Sequence, residues 1–247
     1  MTFQRAAYEV REVCNGVEIE TLEAAVARTG LPVGSMAIDI GTGNATVALH
    51  LARRFGLTVT AIELDPGMAE LARSRIEAAR VGDQVSLIIA RAAEVLARMA
   101  PVDLIVALGT TDVSGEGRPT PEAGFVALRR SLKPGGWLLW GDIVWRSEPP
   151  APLRQITEVT NQYTDDTGWR AAAAAAGFEV VDGRLSPPEV FEAYPRDSIA
   201  AARAWAAAHP EAPETGTILF HADRVEAITD FGRDYIDFAV YLLRNPG

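Results

Sequence analysis

The segment SMAIDIGTGNATVALHLARRFGLTVTAIELDPG, Ser35 to Gly67, limits what the chain can fold into more than any other stretch. A short apolar run, Met36 to Asp39, precedes a turn built on Gly41 and Gly43. Thr46 to Phe55 follows, with Val47, Leu51 and Phe55 spaced to share one helical face. A second apolar run, Leu57 to Ile62, then ends on Glu63. The spacing therefore predicts strand, tight turn, helix and strand in immediate succession.

The alternation continues. DPGMAELARSRIEAAR predicts a second helix anchored by Met68, Leu71 and Ile76; Val85 to Ile89 a third strand; Ala92 to Met99 a short helix; and Val102 to Ala107 a fourth strand. Pro121 to Leu132 predicts another helix, after which KPGG turns the chain into a fifth strand at Trp137 to Trp140. Such a sequence gives a doubly wound α/β domain, a mostly parallel sheet covered on both faces, with ligands at the carboxyl ends of its strands.

Before this core, Leu22 to Thr29 predicts a helix within an N-terminal cap, residues 1–34. Beyond it, Leu153 to Tyr163 is expected to begin in helix, Trp169 to Ala176 predicts a helix and Phe178 to Val181 a sixth strand. Ser198 to His209 and Ala222 to Phe231 predict helices separated by a strand-like TILF, and YIDFAVYLLR predicts the last strand. All 247 residues read as one domain: a core at 36–142, acceptor-site and lid or dimer elements at 143–234, and a final strand at 235–245.

Charge excludes some partners. With 33 acidic against 23 basic side chains the chain carries a net charge of -10, which argues against nucleic acid and anionic membranes. The only cysteine, Cys14, reads as buried and inert, and leaves neither a disulfide framework nor a thiolate metal site. No signal-peptide pattern or spanning apolar run is present, so the expected setting is the cytosol.

The glycine turn allows close approach of a ligand to backbone, and the amides opening the next helix present partial positive charge. Glu63, 24 residues beyond Asp39, is placed to accept ribose hydroxyls. NAD fits this much equally well. A dinucleotide fingerprint starting at Gly41 needs glycine at position 46, where Thr46 stands. A carboxylate at Asp39 also suits a cofactor with an amine and a sulfonium better than a diphosphate.

Residues 36–142 resemble the core of the class I S-adenosylmethionine-dependent methyltransferases, a seven-stranded variant of the doubly wound sheet. Asp39, Gly41, Thr42, Gly43 and Asn44 match the acidic residue and glycine loop, with Ala45 at the usual third glycine. The resemblance makes Glu63 the ribose-binding acid and puts Leu64 against the adenine. Ala90, Arg91 and Ala92 stand where the adenine edge is read, without the usual acid; Arg91 is a candidate to stack on the ring. Ala107 and Leu108 match the lining of the methionine and sulfonium region, and LKPGGWLLWGD matches the turn and fifth strand, ending on Asp142.

The resemblance implies S-adenosylmethionine as cofactor, S-adenosylhomocysteine as product and, by likeness to related bacterial enzymes, a small-molecule acceptor. Methyl transfer is an in-line displacement in which alignment supplies much of the rate, and a base is needed only where the acceptor keeps a proton. Asp142 and His221 are the catalytic candidates, and Trp145 and Tyr194 the candidate walls of an acceptor site. His209, before a proline at a helix end, reads as a cap and Asp103 as a strand-edge residue. No metal-ligand spacing is present, and ALGT at the fourth strand lacks the motif of base-modifying enzymes. A nicotinamide oxidoreductase and a noncatalytic nucleoside-binding protein are the competing readings, and the long segment before the last strand suits a homodimer contact as well as a lid.

Overall fold

The computed structural model describes all residues except Thr111, Asp112 and Glu116. Seven strands form one sheet: β1 (Met36–Ile40), β2 (Thr58–Glu63), β3 (Val85–Ile89), β4 (Val102–Leu108), β5 (Leu132–Trp145), β6 (Glu179–Leu185) and β7 (Ile236–Arg244). Their order is β3-β2-β1-β4-β5-β7-β6. The first five pair in parallel, and β7 runs antiparallel between β5 and β6. Strand order reverses between β1 and β4, the place where a doubly wound sheet opens a crevice.

Local chemistry sets the helix boundaries. Helix α3 (Thr46–Phe55) stops at Gly56, whose φ of +65° is left-handed. Helix α4 (Pro66–Ala79) begins with proline in its first turn, and the Asp65 carboxylate accepts the Met68 amide at 2.8 Å. Helix α6 (Pro121–Arg129) starts the same way on Thr120, and α8 (Asp166–Ala175) on Asp165. The KPGG segment lies inside the long β5: five steps from Leu132 to Trp137 face two from Val102 to Leu104, so the extra residues bulge.

Residue alternation sends each strand's side chains to two cores. One face gathers Val59, Ala61, Leu104 and Val106 under α3, α4 and α2 (Ile19–Thr29). The other gathers Ile38, Ile40, Ile105 and Trp140 under α6 and α8. At its centre Phe125, 1% exposed, meets the rings of Trp140, Trp169 and Phe178 edge-on or tilted, at 5.3, 5.7 and 6.1 Å. A smaller cluster unites α1 (Phe3–Tyr8), α9 (Pro188–Ala208) and α10 (Thr215–Gly232) through Phe3, Ala7, Ile199, Ala202, Ile218 and Ala222.

Several boundaries depart from the sequence reading. TILF is not a strand; it lies within α10, where Ile218 and Ala222, one turn apart, face α1 and α9 while Phe220 points outward. The helix predicted at Ser198 begins ten residues earlier, at Pro188, and carries Pro195 within it. The helix expected to begin the segment Leu153 to Tyr163 is α7, Ala151–Thr157, whereas α6 ends at Arg129, so Leu132 already belongs to β5. The N-terminal cap divides: α2 packs on the sheet core, whereas α1 joins α9 and α10. Helix α5 (Ala92–Leu96) completes the set.

Truncating the central ring tests the second core. Phe125→Ala is expected to cost about 3–5 kcal/mol, read as a lower urea midpoint at unchanged m-value.

Candidate active site

The loop after β1 is fixed by its own side chains. The Thr42 hydroxyl donates to Asp39 Oδ2 at 2.6 Å, and the Thr42 amide donates to the Ile62 carbonyl at 3.0 Å. Gly41 and Gly43 take left-handed φ of +67° and +58°. Ala45 takes +65°, a conformation costing a non-glycine residue about 1–2 kcal/mol; its buried methyl is part of the first core. A Cβ on Gly43 would stand 3.1 Å from Cys14 Sγ, and one on Gly41 3.3 Å from Thr110 Oγ1. The loop therefore offers bare backbone to the space beside it.

Glu63 closes that loop against the end of β2. Its Oε2 accepts the Gly43 amide at 2.8 Å, and its Oε1 accepts the Leu64 and Asp65 amides, each at 2.9 Å. Burial pushes its carboxyl upward against these three donors. A carboxylate presents about four lone-pair sites, so acceptor capacity remains for a hydroxyl in the cleft.

The cleft itself holds about 610 Å³. Gly41, Gly43, Glu63, Leu64, Ala92 and Leu108 line it, together with Ile40, Ile62, Asp65, Pro66, Met68, Ala90, Gly109 and Thr110. Gln4, Tyr8, Cys14, Asn15 and Tyr194 close it from the N-terminal segment and α9. The Tyr8 and Tyr194 hydroxyls lie 2.6 Å apart, their rings stack at 6.1 Å, and the Arg11 guanidinium sits 5.2 Å from the centre of the Tyr194 ring. Burial raises both phenols, so they stay protonated at neutral pH. Burial likewise pushes the Cys14 thiol up to about 11, leaving it protonated although it lines the cleft.

Other candidates lie elsewhere. Asp39 and Thr42 are spent on each other behind the loop. The Asn44 amide donates to the Arg11 and Glu12 carbonyls at 2.9 and 3.1 Å, so it fastens the N-terminal segment and does not face the cleft. Ala107 is fully buried in the second core, one residue short of the lining, and exposed Arg91 occupies the N-cap of α5. Trp145 is a buried packing residue and no acceptor wall: its indole N–H donates to Glu158 at 3.1 Å, and Glu158 also pairs with Arg118 and Arg154. His221 lies on α10 against Phe3 and Phe220, outside the cleft lining, which removes it as a base there. His209 stacks on Trp205 at 4.4 Å and bonds its carbonyl at the end of α9.

Asp142 stands one shell behind the cleft. Its Oδ1 accepts the Ile143 amide at 2.8 Å; Asn161 Nδ2 lies 3.5 Å from its Oδ2 and donates to the Thr110 carbonyl at 2.8 Å. The sequence reading missed Tyr8, Asn15, Gly109 and Thr110 in the lining. ALGT, directly after β4, carried a positional signal for the last two, since strand ends face the crevice. Tyr8 and Asn15 carried none, being brought in by long-range packing.

Burial pushes Asp142 up to about 7, with the Ile143 amide and Asn161 opposing, whereas unfolded it ionises near 3.8. Between those values the folded state binds the extra proton. Its stabilising contribution is complete below about pH 4 and is lost as pH rises through about 7. Asp142→Asn is expected to flatten that decline by ~2–4 kcal/mol, measured as urea stability from pH 4 to 8. Asp39, pushed up to about 6, mainly by burial, keeps a residual slope in both proteins.

Comparison with known proteins agrees with this geometry. A methyltransferase-domain family model matches residues 37–136. The Escherichia coli (strain K12) uncharacterized protein YjhP is 28% identical over 181 residues, 72% of this chain and 71% of its own. A S-adenosylmethionine-dependent methyltransferase from Thiobacillus denitrificans, solved with S-adenosylhomocysteine, superposes with a TM-score of 0.80 at 23% identity, covering 96% of both chains. One from Geobacter sulfurreducens, also with S-adenosylhomocysteine, gives 0.81 at 22%, covering 98% of this chain and 96% of its own. Residues 37–136 thus match a methyltransferase-domain model, and the seven-stranded sheet around them has the fold of these solved S-adenosylmethionine-dependent methyltransferases.

Proposed function

We propose that the chain transfers the methyl group of S-adenosylmethionine to a small-molecule acceptor, leaving S-adenosylhomocysteine. The single observation that carries this reading is the Glu63 carboxylate, tied to the Gly43 amide and facing a cleft of about 610 Å³. That volume suits one small cofactor and a small acceptor, and the chain's net charge of -10 opposes a polyanionic one.

Gly41 and Gly43 let the cofactor approach backbone, Glu63 takes a ribose hydroxyl, and Leu64, Ala92 and Leu108 give apolar contact. When bound, the cofactor supplies an electrophilic methyl group on a sulfonium. Tyr8 and Tyr194 form the acceptor-side wall with Asn15 and Thr110, and their two linked hydroxyls orient an acceptor by hydrogen bonding. Asp142 acts through Asn161 on the Thr110 carbonyl and is a positioning residue in this reading. Alignment is the main service of such a wall, since the displacement needs its three atoms in line.

Calorimetry with S-adenosylhomocysteine tests the reading. Glu63→Ala is expected to weaken binding by about 10–100-fold, with Glu63→Gln between it and the parent. Binding of NAD in preference to S-adenosylhomocysteine, or undiminished affinity in Glu63→Ala, overturns it.

A further inference from the structure

A second cavity, of about 680 Å³, lies on the outer side of α3 and α4 and plays no part in the proposed methyl transfer. Glu23, Thr46, His50, Arg53, Arg54 and Arg75 supply its polar lining. Three guanidiniums against one carboxylate is an unusual concentration of positive charge in a chain of net charge -10. We propose that this groove binds a phosphate-bearing small anion.

The arrangement of partners carries the argument. Glu23 has a partner at each oxygen: His50 Nδ1 lies 2.7 Å from Oε1 and Arg54 Nε lies 3.1 Å from Oε2. Arg53 and Arg75 are held by neutral groups. Arg53 Nη2 donates to the Ala79 carbonyl at 2.7 Å. Arg75 Nη1 donates to Thr46 Oγ1 at 3.0 Å and its Nη2 to the Glu9 carbonyl at 2.7 Å. These bonds orient both guanidinium planes without cancelling their charge, and no carboxylate among the described residues pairs with either.

A tether of α1 would account for Arg75 alone, but not for Arg53 and Arg54 converging on the same groove. Each guanidinium keeps N–H donors unspent, in the planar fork that matches phosphate oxygens. A phosphate dianion matches the charge of the two guanidiniums that no described carboxylate pairs with, whereas a single carboxylate leaves one positive charge uncompensated, which favours phosphate.

The test is calorimetry on the full chain at about 0.15 M salt, with inorganic phosphate, pyrophosphate and glycerol 3-phosphate as probes. Expected is saturable binding of at least one probe below about 1 mM, weakened about tenfold or more by Arg53→Gln and by Arg75→Gln. Equal affinity for phosphate and glycerol 3-phosphate assigns recognition to the phosphate group itself; preference for the ester assigns it to a phosphorylated metabolite. Arg203→Gln, which removes the same charge from the α9 and α10 surface, is expected to change nothing. Arg53→Gln leaves α1 untouched, so its result stands even where Arg75→Gln disturbs that helix. Absence of saturable binding, or equal weakening by all three variants, overturns the proposal. Retained S-adenosylhomocysteine binding in the variants separates a failure here from a failure of the methyltransferase reading.

Discussion

The cleft depends on one carboxylate. Glu63 accepts amides from two different crossovers: Gly43, after β1, and Leu64 and Asp65, after β2. Taking a carboxylate out of water costs several kcal/mol unless donors replace the solvent, and here backbone N–H groups are the donors. The reciprocal constraint falls on Gly43. Its amide reaches Glu63 only in the left-handed conformation, and its missing side chain leaves the room Cys14 occupies. Asp65 extends the chain of dependence by capping α4. A local electrostatic requirement thus ties together the loops that open α3 and α4.

The strand reversal between β1 and β4 spreads their following loops apart, and the N-terminal segment fills the space between them. Two asparagines staple it there. Asn44, in the β1 loop, binds the Arg11 and Glu12 carbonyls, while Asn15 donates to the Leu108 carbonyl at the end of β4 at 3.1 Å. A Cβ on Gly109 would come within 2.5 Å of Asn15 Oδ1, so the β4 loop too must stay bare. Backbone carbonyls that a loop would leave to water are satisfied by side chains 32 to 93 positions away in the sequence.

The sheet was largely legible in the sequence because apolar runs between turn residues mark buried parallel strands. The places of Glu63 and the glycine loop were legible for the same reason: both stand at strand ends, beside the cleft. Trp145 and Asn44 were misread as ligand contacts because composition does not say which way a side chain faces. TILF was misread because four apolar residues suit a strand or a helix equally, and only packing of Ile218 and Ala222 against α1 and α9 decides between them. Tyr8 and Tyr194, 186 positions apart, meet through that same packing, which no local period encodes.

These differences follow a physical division within the cleft. Beside the β1 loop the cleft presents main-chain groups: bare amides, glycine conformations and a carboxylate that organises them. Such features belong to the crossover geometry and are carried by a few adjacent residues. The opposite side is lined by the side chains of Tyr8, Asn15 and Tyr194, delivered by α1, the irregular segment after it and α9. Substitutions there leave the sheet and the Glu63 linkage intact, so under the proposed function acceptor preference can change while the donor site is preserved. The Tyr8–Tyr194 hydrogen bond is therefore both a closure of the cleft and the feature of its wall most open to change, since neither residue carries any part of the sheet.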